Sequence, residues 1–204
     1  MIKNSVDCVG FKAMNRDKHP ILEPLITEEK IKVRVQKLVE TLVEDFTGDE
    51  LVVIGLLKGS FMFLSDLVRL LYQHEIPLLI DFLTVFSYGS GTESSGEVRL
   101  DRDISVDVQN KRVLLVDDIL DSGRTLYFVS KHLLKKNPLL LKTCVFLDKP
   151  SRRVVSFHAD YVGFTVPDAF VVGYGLDYDG RYRELPHVAV LSMGEKSKDA
   201  DGIH

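Results

Sequence analysis

Val113-Leu114-Leu115-Val116-Asp117-Asp118-Ile119-Leu120-Asp121-Ser122-Gly123-Arg124-Thr125 is the stretch on which the fold turns. Residues 112–116 form an apolar run of the kind found in a strand buried on both faces of a parallel sheet. Two adjacent acids follow. A short polar loop then opens a helix predicted over 123–136, with Leu126, Val129 and Leu133 at helical spacing on its inner face. The carboxyl end of a parallel strand, followed by a helix N-terminus, is where open α/β sheets bind ligands.

The loop Asp121 to Thr125 has what a terminal phosphate needs. Gly123 lets backbone come close, Ser122 and Thr125 offer hydroxyls, and the first helical turn presents free N–H groups at the positive end of its dipole. Asp117 and Asp118 repel phosphate, but neighbouring carboxylates accept hydrogen bonds from vicinal hydroxyls, directly or through a hydrated Mg²⁺. A phosphate at one end and a diol at the other describe a sugar phosphate. Taken alone, an acid pair reads as a solvated strand end and Ser-Gly as a helix cap; it is the whole arrangement that points to a ligand. No Gly-x-x-x-x-Gly-Lys sequence is present, and the first βα turn lacks the spaced glycines of a dinucleotide site.

Outward from this segment the pattern stays α/β. Residues 28–46 predict an amphipathic helix on Ile31, Val35, Leu38, Val39 and Leu42, with Thr27 as its cap. Residues 51–57 predict a buried strand, Lys58-Gly59-Ser60 interrupts it, and Phe61, Leu64, Val68 and Leu71 mark a helix. Residues 78–87 predict a strand, and the small polar residues and glycines of 88–96 a mobile surface loop. Strand 112–116, helix 123–136 and strand 142–147 make a right-handed βαβ unit. Short runs at 160–164, 169–174 and 187–191 predict further strands, and polar residues 195–204 a frayed tail behind a single domain spanning 1–194.

The composition narrows the function classes. The 204 residues are 45% hydrophobic and 27% charged, enough for a real core. With 26 basic and 30 acidic residues the net charge is -4, which disfavours a partner made of nucleic acid. The most apolar stretch, residues 51–72, is broken by Lys58, Asp66 and Arg69 and does not suit a membrane span. Cys8 and Cys144 stand far apart in no metal-like spacing and read as reduced thiols, so the cytoplasm is the expected compartment.

The 113–125 segment resembles the phosphoribosyl pyrophosphate signature of the type I phosphoribosyltransferases, and the likeness extends over roughly residues 20–191. It is strongest to the bacterial hypoxanthine (hypoxanthine-guanine) group. Four further stretches carry it: Leu57-Lys58-Gly59-Ser60; Ser87-Tyr88-Gly89-Ser90-Gly91; Leu147-Asp148-Lys149-Pro150-Ser151-Arg152-Arg153; and Phe170 to Tyr178 with Arg181-Tyr182-Arg183 after it. The resemblance implies a Rossmann-like parallel twisted sheet flanked by helices, with a small hood built from the N- and C-terminal parts. It implies Mg²⁺-dependent transfer of the 5-phosphoribosyl group from 5-phosphoribosyl 1-pyrophosphate to a 6-oxopurine such as hypoxanthine or guanine, as in purine salvage, by a homodimer or homotetramer.

Roles follow from the same likeness. Asp117 and Asp118 would hold the ribose hydroxyls, while Asp121, Ser122, Gly123, Arg124 and Thr125 would hold the 5-phosphate. Asp121 would also serve as general acid or base near ring nitrogen 7 of the purine. Lys58 and Gly59, often with a cis peptide ahead of the lysine, would meet pyrophosphate together with Arg183. Lys149 would donate to the oxygen at position 6 of the base, Phe170 would stack on the ring, Val171 would read its edge through backbone, and Asp177 would line the base pocket and ligate Mg²⁺. Ser87 and Tyr88 would grip from the loop acting as a lid. The competing readings are an enzyme for another base, a nucleotide-sensing RNA-binding module on the same fold, and a phosphoribosyl pyrophosphate synthetase subunit.

Overall fold

The computed structural model describes residues 21–46, 48, 50–87 and 98–192. Within them the chain runs β1 (Ile21–Ile26), α1 (Glu28–Phe46), β2 (Leu51–Leu57), α2 (Phe61–Gln73), β3 (Leu78–Ser87), β4 (Val98–Arg102), β5 (Arg112–Leu120), α3 (Arg124–Leu134), β6 (Leu140–Asp148), a 3₁₀ turn at Pro150–Arg152, β7 (Tyr161–Thr165), β8 (Val171–Val172) and β9 (Val188–Ser192).

Six strands form one sheet in the order β4-β3-β2-β5-β6-β7. All its pairings are parallel except β3 with the edge strand β4. The unbroken apolar runs of β2 and β5 lie at its centre because helices cover both faces. One core cluster joins α1 and α2 to Leu51, Val53, Leu114, Val116 and Phe146. The other joins α3, through Leu126, Val129 and Leu133, to Val52, Ile54, Leu115 and Val145. Successive residues of a strand thus serve opposite cores, as the two-residue period requires. Phe146 anchors the first cluster, its ring centroid 4.7 Å from Tyr174 and 5.4 Å from Phe63.

A second, three-stranded antiparallel sheet, β1-β9-β8, is the hood. Its strands come from the two ends of the described chain, as expected. Among the described residues no helix is long and apolar enough to cross a membrane.

Several boundaries differ from the sequence reading. The strand expected at 112–116 continues to Leu120, because its ladder with β6 runs on through Asp117↔Val145 and Leu120↔Asp148. The acid pair therefore sits within the strand rather than beyond it. The helix expected from residue 123 begins at Arg124, since Gly123 has φ +84°. The strand expected over 169–174 shrinks to Val171–Val172, because Gly173 and Gly175 turn the chain at φ +97° and +100°. Strands β1 and β4 escaped the periodicity: both lie at sheet edges, β1 holds Pro24, and β4 is three-fifths charged in Val-Arg-Leu-Asp-Arg. The loop 88–96, with Tyr88, and the tail 195–204 lie outside the described residues, as does Cys8.

Candidate active site

The carboxyl ends of β2 and β5 open on a cleft of about 330 Å³. Ten of the sequence-predicted residues line it: Lys58, Gly59, Asp117, Asp118, Asp121, Ser122, Gly123, Thr125, Asp177 and Arg183. They arrive from three parts of the chain. Lys58 and Gly59 turn out of β2 behind a cis Leu57–Lys58 peptide bond. The acids and the loop belong to β5 and the approach to α3. Asp177 and Arg183 come from the connection between β8 and β9.

Close packing explains the glycine at 59. A Cβ there would lie 1.6 Å from the Asp118 carboxylate oxygen, and one on Gly175 would lie 2.1 Å from the Gly59 carbonyl. The β2 turn is thus packed against the Asp118 carboxylate on one side and the backbone of the 175 turn on the other. Ser60, fully buried, ties the turn to its strand by donating to the Leu56 carbonyl at 2.6 Å.

The acid pair is strained electrostatically. Asp117 accepts the N–H of Asp118 and Asp118 that of Ile119, both at 2.9 Å. Burial pushes the Asp117 carboxyl well above the usual range, and the charge of Asp118 adds to it. Burial also raises Asp118, against the hydrogen bonds it accepts and the positive charge of Arg183. A carboxyl raised in this way binds its proton more tightly folded than unfolded. The stability it contributes is whole below the unfolded pKa of ~3.9 and is lost as pH rises through the folded value. Asp117→Asn should therefore raise the melting temperature at neutral pH. One pKa unit is about 1.4 kcal/mol, and 1 kcal/mol moves a chain of this size by ~2–4 °C. The gain should vanish near pH 4. Melting curves of both proteins at the two pH values check this, and an unchanged midpoint at pH 7 would show that the pair carries no charge strain.

In the loop, Ser122 Oγ accepts the Arg124 N–H at 3.4 Å. One Asp121 oxygen, Oδ1, is buried without a hydrogen bond. It lies 3.3 Å from Arg152 Nε, off the hydrogen-bond direction, so Arg152 meets it as an ion pair. Arg183 holds Asp177 at 2.7 Å and donates to the Gly175 carbonyl at 2.6 Å, and Asp177 also accepts the Gly180 N–H. Among the described residues no three His, Cys, Asp or Glu side chains gather as a metal cage. The donor set fits an ion such as Mg²⁺, which keeps its waters and takes one or two carboxylates plus substrate phosphates.

Lys149, Phe170 and Val171 gather beside the cleft rather than in its lining. Lys149, 5% exposed, donates its ammonium to the Ala169 carbonyl at 2.6 Å. Burial lowers its pKa, while the charge of Asp121 opposes the shift. Phe170 is 52% exposed, so it is no core aromatic, and it meets Tyr178 edge-on. Val171 is buried in the hood, paired with Val190. The backbone N–H of Lys149 donates to the Leu120 carbonyl at 3.0 Å, which joins this cluster to the loop. Arg124 lies in the first turn of α3 outside the cleft lining. Ser87 ends β3, paired in backbone with Val98. Sequence reasoning gave no role to Arg152 and Arg153, which reach the loop from behind; two consecutive arginines in the Lys149–Arg153 stretch were the available signal.

Known proteins resemble the chain throughout this region. The family model described as phosphoribosyl transferase domain matches residues 25–179. The hypoxanthine-guanine phosphoribosyltransferase of Aquifex aeolicus is 49% identical over 171 residues, 83% of this chain and 94% of that protein. The hypoxanthine phosphoribosyltransferase of Salmonella typhimurium is 46% identical over 178 residues, 86% of this chain and 98% of that protein. The crystal structure of a hypoxanthine-guanine phosphoribosyltransferase from Bacillus anthracis superposes with a TM-score of 0.77 at 46% identity, covering 82% of this chain and 97% of that one.

Proposed function

The chain belongs to the phosphoribosyltransferase family, and from that premise we propose that it works in purine salvage, transferring the 5-phosphoribosyl group from 5-phosphoribosyl 1-pyrophosphate to hypoxanthine, and to guanine, with release of pyrophosphate. The observation that carries this reading is the pairing, in one cleft, of an acid pair suited to a diol with a helix-opening loop suited to a phosphate.

The reaction is substitution at the anomeric carbon. The ribose hydroxyls sit on Asp117 and Asp118, and the 5-phosphate on residues 121–125. This leaves the pyrophosphate between Lys58, the Gly59 backbone and Arg183 on the opposite rim. As the carbon–oxygen bond breaks, positive charge grows on the sugar and negative charge on the leaving group, which the two cations stabilise. Arg183 suits this task because its fork matches phosphate oxygens, and it leaves Asp177 to do it. The base stacks on Phe170, meets the Val171 backbone at its edge and gives its 6-oxygen to Lys149. Asp121, in the phosphate loop, would exchange a proton at ring nitrogen 7. Ser87 and Tyr88 would close over the sugar and keep water from the activated carbon.

Mg²⁺, held at Asp177, would supply charge neutralisation of the pyrophosphate. Excess chelator should abolish activity and Asp177→Ala should raise the Mg²⁺ concentration for half-maximal rate; full turnover in chelator would remove the ion from the reaction. We assign the enzyme to the cytoplasm, where the buried free thiol of Cys144 is at home. We also assign it a homodimeric or homotetrameric state, for which the exposed apolar row Ile80, Phe82 and Phe86 along β3 offers a contact face.

Steady-state rates with hypoxanthine, guanine and xanthine at saturating co-substrate and Mg²⁺ test the proposal. Turnover of none of the three, with RNA retained on a filter, would favour the nucleotide-sensing module instead, against which the net charge of -4 already argues.

A further inference from the structure

Arg153 stands outside the cleft lining, yet it holds the backbone of the phosphate loop from behind. Its side chain is 14% exposed and its guanidinium reaches three oxygens. Nη1 donates to the carbonyl of Leu120 at 3.0 Å and to that of Asp121, while Nη2 is paired with the Asp148 carboxylate at the end of β6. The stem packs beneath the loop's glycine, where a Cβ on Gly123 would come within 3.1 Å of Arg153 Cδ. The next carbonyl, that of Ser122, accepts the N–H groups of Val154 at 2.9 Å and Val155 at 3.1 Å. Three consecutive carbonyls are therefore held from behind: that of Leu120 by Arg153 and by the Lys149 N–H at 3.0 Å, that of Asp121 by Arg153, and that of Ser122 by backbone.

A trans peptide is planar, so its N–H points opposite to its C=O. Holding the carbonyls of 120, 121 and 122 away from the cleft aims the N–H groups of Asp121, Ser122 and Gly123 into it. Those of Ser122 and Gly123 donate to no other described residue. A single peptide turned the other way would set a carbonyl oxygen against phosphate oxygens. The pair with Asp148 largely cancels the charge of Arg153, so its effect on an anion comes through the direction of the backbone dipoles.

Resting on the phosphoribosyl reading of the cleft, we propose that Arg153 is the positioning residue of the phosphate loop, fixing its peptide planes so that their N–H groups face the 5-phosphate. The test is titration of the full chain with ribose 5-phosphate, beside kinetics and melting curves, for the parent, Arg153→Met and Arg153→Lys. Arg153→Met should bind ribose 5-phosphate at least about tenfold more weakly, equivalent to ~1.4 kcal/mol. KM for 5-phosphoribosyl 1-pyrophosphate should rise in step, while KM for hypoxanthine moves less than about threefold; a general loosening of the fold would not split the two in this way. Arg153→Lys keeps the charge but lacks the fork, and should fall between parent and Met. Binding by Arg153→Met within about twofold of the parent, or an equal rise in both KM values, overturns the inference. If the Met variant does not fold, the same twofold criterion applies to Arg153→Lys. Failure of the parent itself to bind ribose 5-phosphate would overturn the phosphoribosyl reading, and this inference with it.

Discussion

Asp121→Asn is expected to lower turnover with hypoxanthine by about 10²- to 10⁴-fold, the usual worth of a well-placed general acid or base. The other loop residues that line the cleft, Ser122, Gly123 and Thr125, are small and neutral, and a carboxylate among them weakens rather than strengthens a phosphate site. Asp121 Oδ1 has no hydrogen bond and is met by the ion pair with Arg152 at 3.3 Å. Asn has the same shape and keeps the backbone of the loop, so binding of the activated sugar should survive. Single-turnover rates together with ribose 5-phosphate affinity separate the two effects. Turnover within twofold of the parent would remove Asp121 from the chemistry.

Lys149→Ala should collapse the preference for hypoxanthine over adenine. The ammonium is buried and gives one of its three donors to the Ala169 carbonyl. What remains can meet a keto oxygen at position 6 but not an amino group, against which donor faces donor. A buried polar group left without its partner costs roughly 1–3 kcal/mol, more when charged. At ~1.4 kcal/mol per factor of ten, that is a tenfold to more than hundredfold bias from one contact. The Ala variant should lose far more kcat/KM with hypoxanthine than with adenine. A ratio that stays the same in both proteins would mean that Lys149 does not read position 6, and the pocket built on Phe170 and Val171 would fall with it.

Much of this site is written in local patterns. The strand–acid–acid–loop–helix order carries the proposed diol and phosphate subsites within thirteen consecutive residues, because a parallel strand and the helix after it deliver neighbours in sequence to the same cleft. The continuous apolar runs of β2 and β5 read correctly as central strands for the same reason: both faces are buried. Elements whose partners are distant read poorly. Strand β1 has a single buried position and a proline, and its pairing with β9 makes it a strand. The arginine pair at 152–153 signals charge but not the task of Arg153, since the carbonyls that it holds lie some 32 and 33 residues earlier in the chain. The Phe170 and Lys149 assignments rested on family likeness, for an aromatic and a lysine in isolation have many other uses.

The hood closes the chain on itself, with Ile21 opposite Ser192. During synthesis β1 emerges well before the β9 that pairs with it. The six-stranded sheet can form as soon as β7 has emerged, and it already contains the acid pair and the phosphate loop. Val171 and the backbone around Phe170 gain their lasting partners only when β9 follows. Non-local pairings of this kind bear the full entropy of loop closure and come late. A nascent chain therefore passes through a stage in which the residues proposed for the sugar phosphate, and Lys149, are present while the hood strand that carries Val171 still lacks its partner.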